Sequence, residues 1–243
     1  MRSTVSKMRR MVLNFVLLAV YYLKIIKILK KRNLTNFKLF QFKKWHHGYG
    51  YLTALLGKEK VFVKFDTKLH LLQNDFLAYK IANNSLGPYL IKIYTAIYLD
   101  DIQIIISEFS EGAELTENDI FKNPILINKI IEILSILNNL NIIHRDIKLD
   151  NFLIIDNQIK IIDFTFANSL NKKLGFKELD LSSVNNCTTL EFLGNGFNPK
   201  PFVWNDLIAL KNILNLLSQN INIDPYVMKI ESIESKTYTV NCI

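Results

Sequence analysis

The run IIHRDIKLDNFLI, Ile142 to Ile154, with IKIIDFTFA from Ile159 to Ala167 behind it, constrains this chain of 243 residues more than any other stretch. Between apolar flanks it sets a carboxylate (Asp146), an ammonium (Lys148), an amide (Asn151) and a second carboxylate (Asp163). The apolar runs Phe152–Ile155 and Ile159–Ile162, split by Asp156-Asn157-Gln158, predict a short hairpin that holds Asn151 and Asp163 face to face. A buried hairpin with incidental polar flanks would leave the joint placement of four polar groups unexplained.

His144-Arg145-Asp146 with Asn151 five residues beyond Asp146, and then Ile-Ile-Asp163-Phe164, resembles the catalytic loop and metal-binding strand end of protein kinases. The extended form HRDIKLDNFL is most similar to Ser/Thr kinases, the casein-kinase branch especially. The resemblance implies an α+β, two-lobed fold with a small β-rich N-lobe and a shortened helical C-lobe, working on ATP and Mg2+. It also implies roles. Asp146 orients the acceptor hydroxyl and takes its proton, Lys148 neutralises charge on the transferring phosphoryl group, and Asn151 and Asp163 hold the metal.

The same likeness directs attention upstream. Val61-Phe62-Val63-Lys64-Phe65 is an apolar strand with one inward Lys, and Lys64 takes the place of the lysine that meets the α/β-phosphates. Gly48-Tyr49-Gly50-Tyr51, between strand-like Phe37–Lys44 and Tyr51–Leu56, stands where the glycine-rich hairpin belongs. Gly48 and Gly50 would let backbone amides approach phosphates, although the third glycine of the family pattern is Thr53 here. Helical spacing over Leu69–Asn84 places Asp75 where kinases usually carry the Glu that pairs with the strand lysine. Ile102–Ser107 followed by Glu108-Phe109-Ser110-Glu111-Gly112-Ala113-Glu114-Leu115 resembles the hinge. That likeness implies backbone contacts to adenine at Glu108 and Ser110, a ribose contact at Glu114, and Ser107 at the back of the adenine pocket. Asn123 as N-cap with Pro124 at the first position then predicts a long helix through about Asn139, leading into the catalytic loop.

Downstream the likeness thins. Thr165 replaces the Gly of Asp-Phe-Gly, removing a flexible backbone joint, and no Ala-Pro-Glu occurs between Asp163 and Pro201. Ser169, Ser182, Ser183, Thr188 and Thr189 are candidate phosphosites of low information. Val203–Leu210 resembles the next C-lobe helix, with Asp206 as the acid that buttresses the catalytic loop. By the same likeness, the distal helices that dock protein substrates are expected to be mostly absent.

Charge is unevenly spread. Residues 1–58 hold 13 Lys/Arg and no acid, so the formal net charge of +8 originates in the N-terminal quarter. Met11–Leu23 is apolar apart from Asn14, and Lys24, Lys27, Lys30, Lys31 and Arg32 follow at helical intervals. Thirteen residues are short of the roughly 20 that a spanning helix needs. The first reading is a basic amphipathic helix that lays residues 7–32 on an anionic membrane surface. A tilted anchor and a helix packed on the kinase lobe are the alternatives. Val, Leu and Ile dominate between the charges, so no nucleic acid is expected as a partner.

These readings divide the chain into a basic helix at 1–34, an N-lobe at 35–109 and a C-lobe at 110–243. Cys187 and Cys242 make no disulfide framework, no His/Cys metal cluster is present, and His46 and His47 read as solvated loop histidines. A cytoplasmic home follows, peripheral on the inner membrane face if the helix lies on lipid. Two acceptors remain open. Lys148 favours a protein hydroxyl. The short C-lobe, Thr165 and the basic helix favour a sugar or glycolipid hydroxyl, as in bacterial lipopolysaccharide-core kinases. A nucleotide-binding pseudokinase is the non-enzymatic alternative, opposed by the joint presence of Lys64, Asp146, Asn151 and Asp163.

Overall fold

The computed structural model describes residues 2–42, 45, 48–178 and 202–240. His46, His47, Ser182, Ser183, Cys187, Thr188, Thr189 and Cys242 lie outside the described residues. The chain divides into two units, Met1–Leu72 with Lys92–Ser110, and Gln73–Ile91 with Glu111–Ile243.

In the first unit, alternation at Val61, Val63 and Phe65 turns one face of a strand into core. That strand, β3 (Glu59–Asp66), is the centre of a five-stranded antiparallel sheet with β1 (Leu34–Leu39), β2 (Tyr49–Leu56), β4 (Ile93–Leu99) and β5 (Ile102–Glu108), ordered β1-β2-β3-β5-β4. The first strand lies at 34–39, not 37–44, and its register to β2 shifts between Thr35 and Lys38. Asn36, at φ 54°, is the irregular residue there.

Helix α1 (Arg2–Lys30) precedes the sheet. Ile25 and Leu29 are buried in the core of the first unit, with Leu17, Leu18, Tyr21, Tyr22, Ile26 and Ile28 packed against it. Lys24 pairs with Asp101 at 2.6 Å. Val12, Phe15, Val16, Val20 and Leu23 stay 54–78% exposed. No helix among the described residues is long and apolar enough to cross a membrane.

After β3 the buried Asp66 carboxylate accepts from the amides of Lys68, Leu69 and Leu71 at 2.8–3.0 Å. These contacts bind residues 66–71 into a turn, so helix α2 is Leu72–Leu86 and not 69–84.

The core of the second unit comes from α2, α4 (Ile125–Asn139), α5 (Asp206–Leu217), α6 (Asp224–Glu231) and the hairpin β8 (Phe152–Ile155)–β9 (Gln158–Ile161). Fully buried Ile127, Ile130, Ile131, Leu134 and Leu137 recur at three- and four-residue intervals on α4. A short helix α3 (Glu117–Lys122) precedes α4 and is closed by a capping box from Thr116 and Asp119. Asn123 terminates α3, so Pro124, one residue later than the sequence suggested, holds the cap position of α4.

The hairpin turn is Asp156-Asn157, at φ 49° and 62°, and Gln158 already belongs to β9. Two consecutive positive φ values match the twist of a two-residue hairpin, and Asp and Asn tolerate them best after Gly. Strand β6 (Ala113–Glu114) extends the hairpin to three strands. The short strands β7 (Ile142–Ile143) and β10 (Asn168–Ser169) pair, as do β11 (Phe202–Trp204) and β12 (Tyr238–Val240). Val203 and Trp204 are therefore strand, not helix. Asn205 ends that strand, and its side chain caps α5 by accepting from the Ile208 amide at 3.1 Å.

Candidate active site

The loop between β7 and β8 is held from beneath by one carboxylate. Asp206 Oδ2 accepts from the His144 amide at 2.6 Å and Oδ1 from the Arg145 amide at 3.1 Å. Burial pushes the Asp206 carboxyl above its ordinary value, against the pull of His144 and Arg145. The His144 ring lies 3.0 Å from the Ile162 carbonyl through Nε2 and packs on Phe164 with centroids 4.7 Å apart. Arg145, at φ 69°, occupies the left-handed region, so the loop is bent where these contacts converge.

Asp146 sits at the focus. Its Oδ2 accepts from Asn151 Nδ2 at 2.9 Å and lies 3.1 Å from Lys148 Nζ. Asn151 Nδ2 also donates to the Asp146 carbonyl at 2.7 Å. The amide nitrogen of Asn151 thus serves Asp146, which leaves its side-chain oxygen available as a ligand for a cation. Asp146 Oδ1 is buried with no hydrogen-bond partner among the described residues. Burial raises the Asp146 carboxyl, Lys148 opposes that and Asp163 reinforces it. For Lys148 burial acts to lower the ammonium, but Asp146, Asp150 and Asp163 together outweigh it and the net shift is upward. The result is a carboxylate with raised proton affinity beside a firmly charged lysine.

Asp163 follows β9, tied to the loop where the Ile162 amide donates to the Asn151 carbonyl at 2.9 Å. It adopts φ 65°, a region that costs a non-glycine residue free energy. Thr165 Oγ1 lies 2.7 Å from Asp163 Oδ1 and 2.7 Å from Asp75 Oδ2 of α2. The structure thus brings Asp146, Lys148 and Asn151 together, and joins Asp75 to Asp163 through Thr165. No group of three or more His, Cys, Asp or Glu suited to a metal occurs among the described residues. The oxygen set at Asn151 and Asp163 fits a hard cation that draws its remaining ligands from water and phosphate.

The other candidate residues fall elsewhere. Lys64, 9% exposed in β3, pairs in register with Ile105 and Tyr51, and its Nζ lies 5.6 Å from the Tyr49 ring centroid. Gly48, at φ 88°, closes the turn into β2, where the Thr67 amide donates to its carbonyl at 3.1 Å. Gly50 lies inside β2 opposite Phe65. At the end of β5, Glu108 exchanges bonds with the Lys92 backbone: its amide donates to the Lys92 carbonyl at 2.9 Å and its Oε1 accepts from the Lys92 amide at 3.1 Å. Glu108 and Ser110 belong to the first unit. Glu114 belongs to the second, exposed on β6 opposite Leu153.

Four residues of the second unit escaped the sequence reading. Asn74 Nδ2 donates to the carbonyls of Thr165 at 3.1 Å and Lys177 at 2.9 Å, while its Oδ1 accepts from the Lys177 amide at 2.8 Å. Glu178 pairs with Arg145 at 2.6 Å and accepts from Asn168 at 2.5 Å and from the Tyr238 hydroxyl. The Arg145 guanidinium stacks on Trp204, 4.2 Å from its centroid, with the Tyr238 ring at 5.3 Å. Only the position of Asn74, next to Asp75, could have signalled any of these.

The chain is similar to known proteins over part of its length. A stretch of 89 residues is 34% identical to the serine/threonine-protein kinase kin-29 of Caenorhabditis elegans, covering 33% of this chain and 11% of that protein. The chain therefore matches only a small part of that relative's length. Among solved structures, the Cydia pomonella granulovirus kinase PK-1 aligns at a TM-score of 0.46 and 16% identity, over 61% of this chain and 60% of that one. The family model described as protein kinase domain matches residues 66–195, more than half of the chain, from the end of β3 past the catalytic loop and Asp163. The chain belongs to the protein kinase domain family.

Proposed function

We propose that the chain transfers the γ-phosphoryl group of ATP, with Mg2+, to a Ser or Thr hydroxyl of a protein. The carrying observation is the Asp146 carboxylate, whose Oδ2 is engaged by Lys148 and Asn151 while Oδ1 stands buried and without a hydrogen-bond partner among the described residues. Magnesium, when bound, neutralises charge on the phosphates. The chain's own residues do the rest. Asn151 and Asp163 offer oxygen ligands, Lys64 a cation for the α/β-phosphates, and Gly48 and Gly50 backbone amides. Glu108, Ser110 and Glu114 are the proposed adenosine contacts. Asp146 Oδ1 accepts the hydroxyl proton, and its raised proton affinity makes it a better acceptor than an ordinary aspartate. Lys148 meets the charge of the transferring group, which is where its likeness to protein kinases bears on the acceptor.

A glycolipid or sugar hydroxyl is the second reading, favoured by α1. Its exposed Val12, Phe15, Val16, Val20 and Leu23 are followed by Lys27, Lys30, Lys31 and Arg32, a combination suited to the interface of an anionic leaflet. The test supplies labelled ATP and Mg2+ with a generic protein acceptor and, in parallel, a glycolipid extract. Label in protein alone supports the first reading, and label in lipid alone the second. Transfer in neither, with no thermal shift on adding nucleotide, leaves a pseudokinase and rejects both. Asp146→Ala abolishes transfer and retains nucleotide binding.

A further inference from the structure

The residue that departs most from the family pattern in this site, Thr165, is also deeply enclosed. It is 2% exposed, in a short 3₁₀ turn (Phe164–Phe166) that follows directly on the left-handed Asp163. Its hydroxyl oxygen stands 2.7 Å from Asp163 Oδ1 and 2.7 Å from Asp75 Oδ2. Its carbonyl accepts from Asn74 Nδ2 at 3.1 Å. Asn74 and Asp75, neighbours on α2, thus stand against the backbone and the hydroxyl of Thr165, and that hydroxyl has one proton, which it can give to Asp163 Oδ1. A glycine here would supply neither hydroxyl contact. It would also free a backbone that has to keep Asp163 in an unfavourable conformation.

We propose that Thr165 is a positioning residue, whose one hydroxyl proton, given to Asp163 Oδ1, fixes that carboxylate in the rotamer that meets the metal, while Asn74 of α2 holds the Thr165 backbone. The placement of α2 then sets metal affinity through a side chain and not through a flexible joint. A hydrogen bond to a charged oxygen is strong enough for its loss to be read in binding. The inference rests on the reading that Asp163 holds the metal, and the experiment separates the two.

The full chain and the variants Thr165→Val, Thr165→Ser, Thr165→Gly, Asp75→Ala and Asp163→Ala are titrated with Mn2+ in the presence of a non-hydrolysable ATP analogue. Binding is followed by electron paramagnetic resonance. The half-saturating Mg2+ for transfer is measured in parallel. Thr165→Val is expected to weaken Mn2+ binding and raise half-saturating Mg2+ about tenfold, leaving kcat at saturating metal within about threefold of wild type. Thr165→Ser restores both to within about twofold, Thr165→Gly weakens binding at least as far as Thr165→Val, and Asp75→Ala, which removes the competing acceptor, does not weaken it. Unchanged metal affinity in Thr165→Val, while Asp163→Ala loses it, overturns the inference and leaves the reading of Asp163 standing. Undiminished Mn2+ binding in Asp163→Ala overturns that reading itself. Should Thr165→Val fail to fold, Thr165→Ala against Thr165→Ser makes the same comparison.

Discussion

Arg145 Nη1 lies 2.6 Å from Glu178 Oε1, with Arg145 1% and Glu178 37% exposed. A guanidinium this deeply buried has to be neutralised, and among the described residues its Nε and Nη2 find no hydrogen-bond partner. Glu178 is thus the counter-charge for the residue next to Asp146. Breaking a buried pair by removing one partner costs about 3–5 kcal/mol, and the solvent around Glu178 reduces that to about 1–3. Glu178→Ala is expected to lower Tm by about 3–10 °C, with Glu178→Gln in between. A Tm within a degree of wild type for Glu178→Ala would show that another group neutralises Arg145.

Tyr238 completes the same cluster from the C-terminal strand. Burial raises its phenol well above the ordinary tyrosine value, and the hydrogen bond to Glu178 and the charge of Glu178 add to the rise, against Arg145. The sign follows. Between the unfolded value, about 10, and the higher folded value, the unfolded chain gives up this proton while the folded chain keeps it. Stability is therefore intact below about pH 10 and declines above it. Tyr238→Phe should flatten that alkaline decline. Absorbance titration of the native protein should show the same number of tyrosines ionised at pH 11 in wild type and variant. One tyrosine fewer in the variant would mean that Tyr238 ionises normally.

Asp206 accepts from the amides of both His144 and Arg145. Removing it leaves two buried donors, at about 1–3 kcal/mol each, and loosens the loop that presents Asp146. Asp206→Ala should lose several degrees of Tm, and kcat should fall with little change in nucleotide affinity. Its raised carboxyl pKa also sets a slope. Across the window above the ordinary carboxylate value, the unfolded state is ionised and the folded state still protonated, so stability falls as pH rises. Plotted against pH, wild-type Tm should therefore slope downward relative to Asp206→Asn in that window. Parallel curves would reject the assigned shift.

Legibility in the sequence tracked distance along the chain. HRDIKLDN was readable because Asp146, Lys148 and Asn151 lie within six residues, so spacing alone fixes their meeting. The hairpin behind it was readable because apolar alternation and an Asp-Asn turn are local signals. Asp206 was found by motif although it acts 62 residues away, on the His144 amide. Glu178, Tyr238 and Asn74 were not found, since each makes its bond across tens to about a hundred residues and carries no local pattern. The boundaries of α2 and α4 slipped for a similar reason. Side-chain acceptance by Asp66, and the end of α3 at Asn123, overrode helix-start signals that looked sound in isolation.

Gly50 tests whether a glycine in the expected phosphate hairpin is there for ligand or for packing. A Cβ at Gly50 would fall 2.1 Å from Phe65 Cζ, and the Phe65 ring is 1% exposed and packed edge-on against Trp45, with centroids 5.2 Å apart. The ring has little room to yield, so Gly50→Ala should cost about 1–3 kcal/mol through overpacking. Trimming the ring should return the space. Gly50→Ala combined with Phe65→Leu is then expected to be more stable than the sum of the single losses, with a coupling of about 1 kcal/mol or more in a thermal or urea double-mutant cycle. If the glycine instead serves the approach of phosphate, the two losses add, and Gly50→Ala shows itself as a raised KM for ATP that Phe65→Leu does not change.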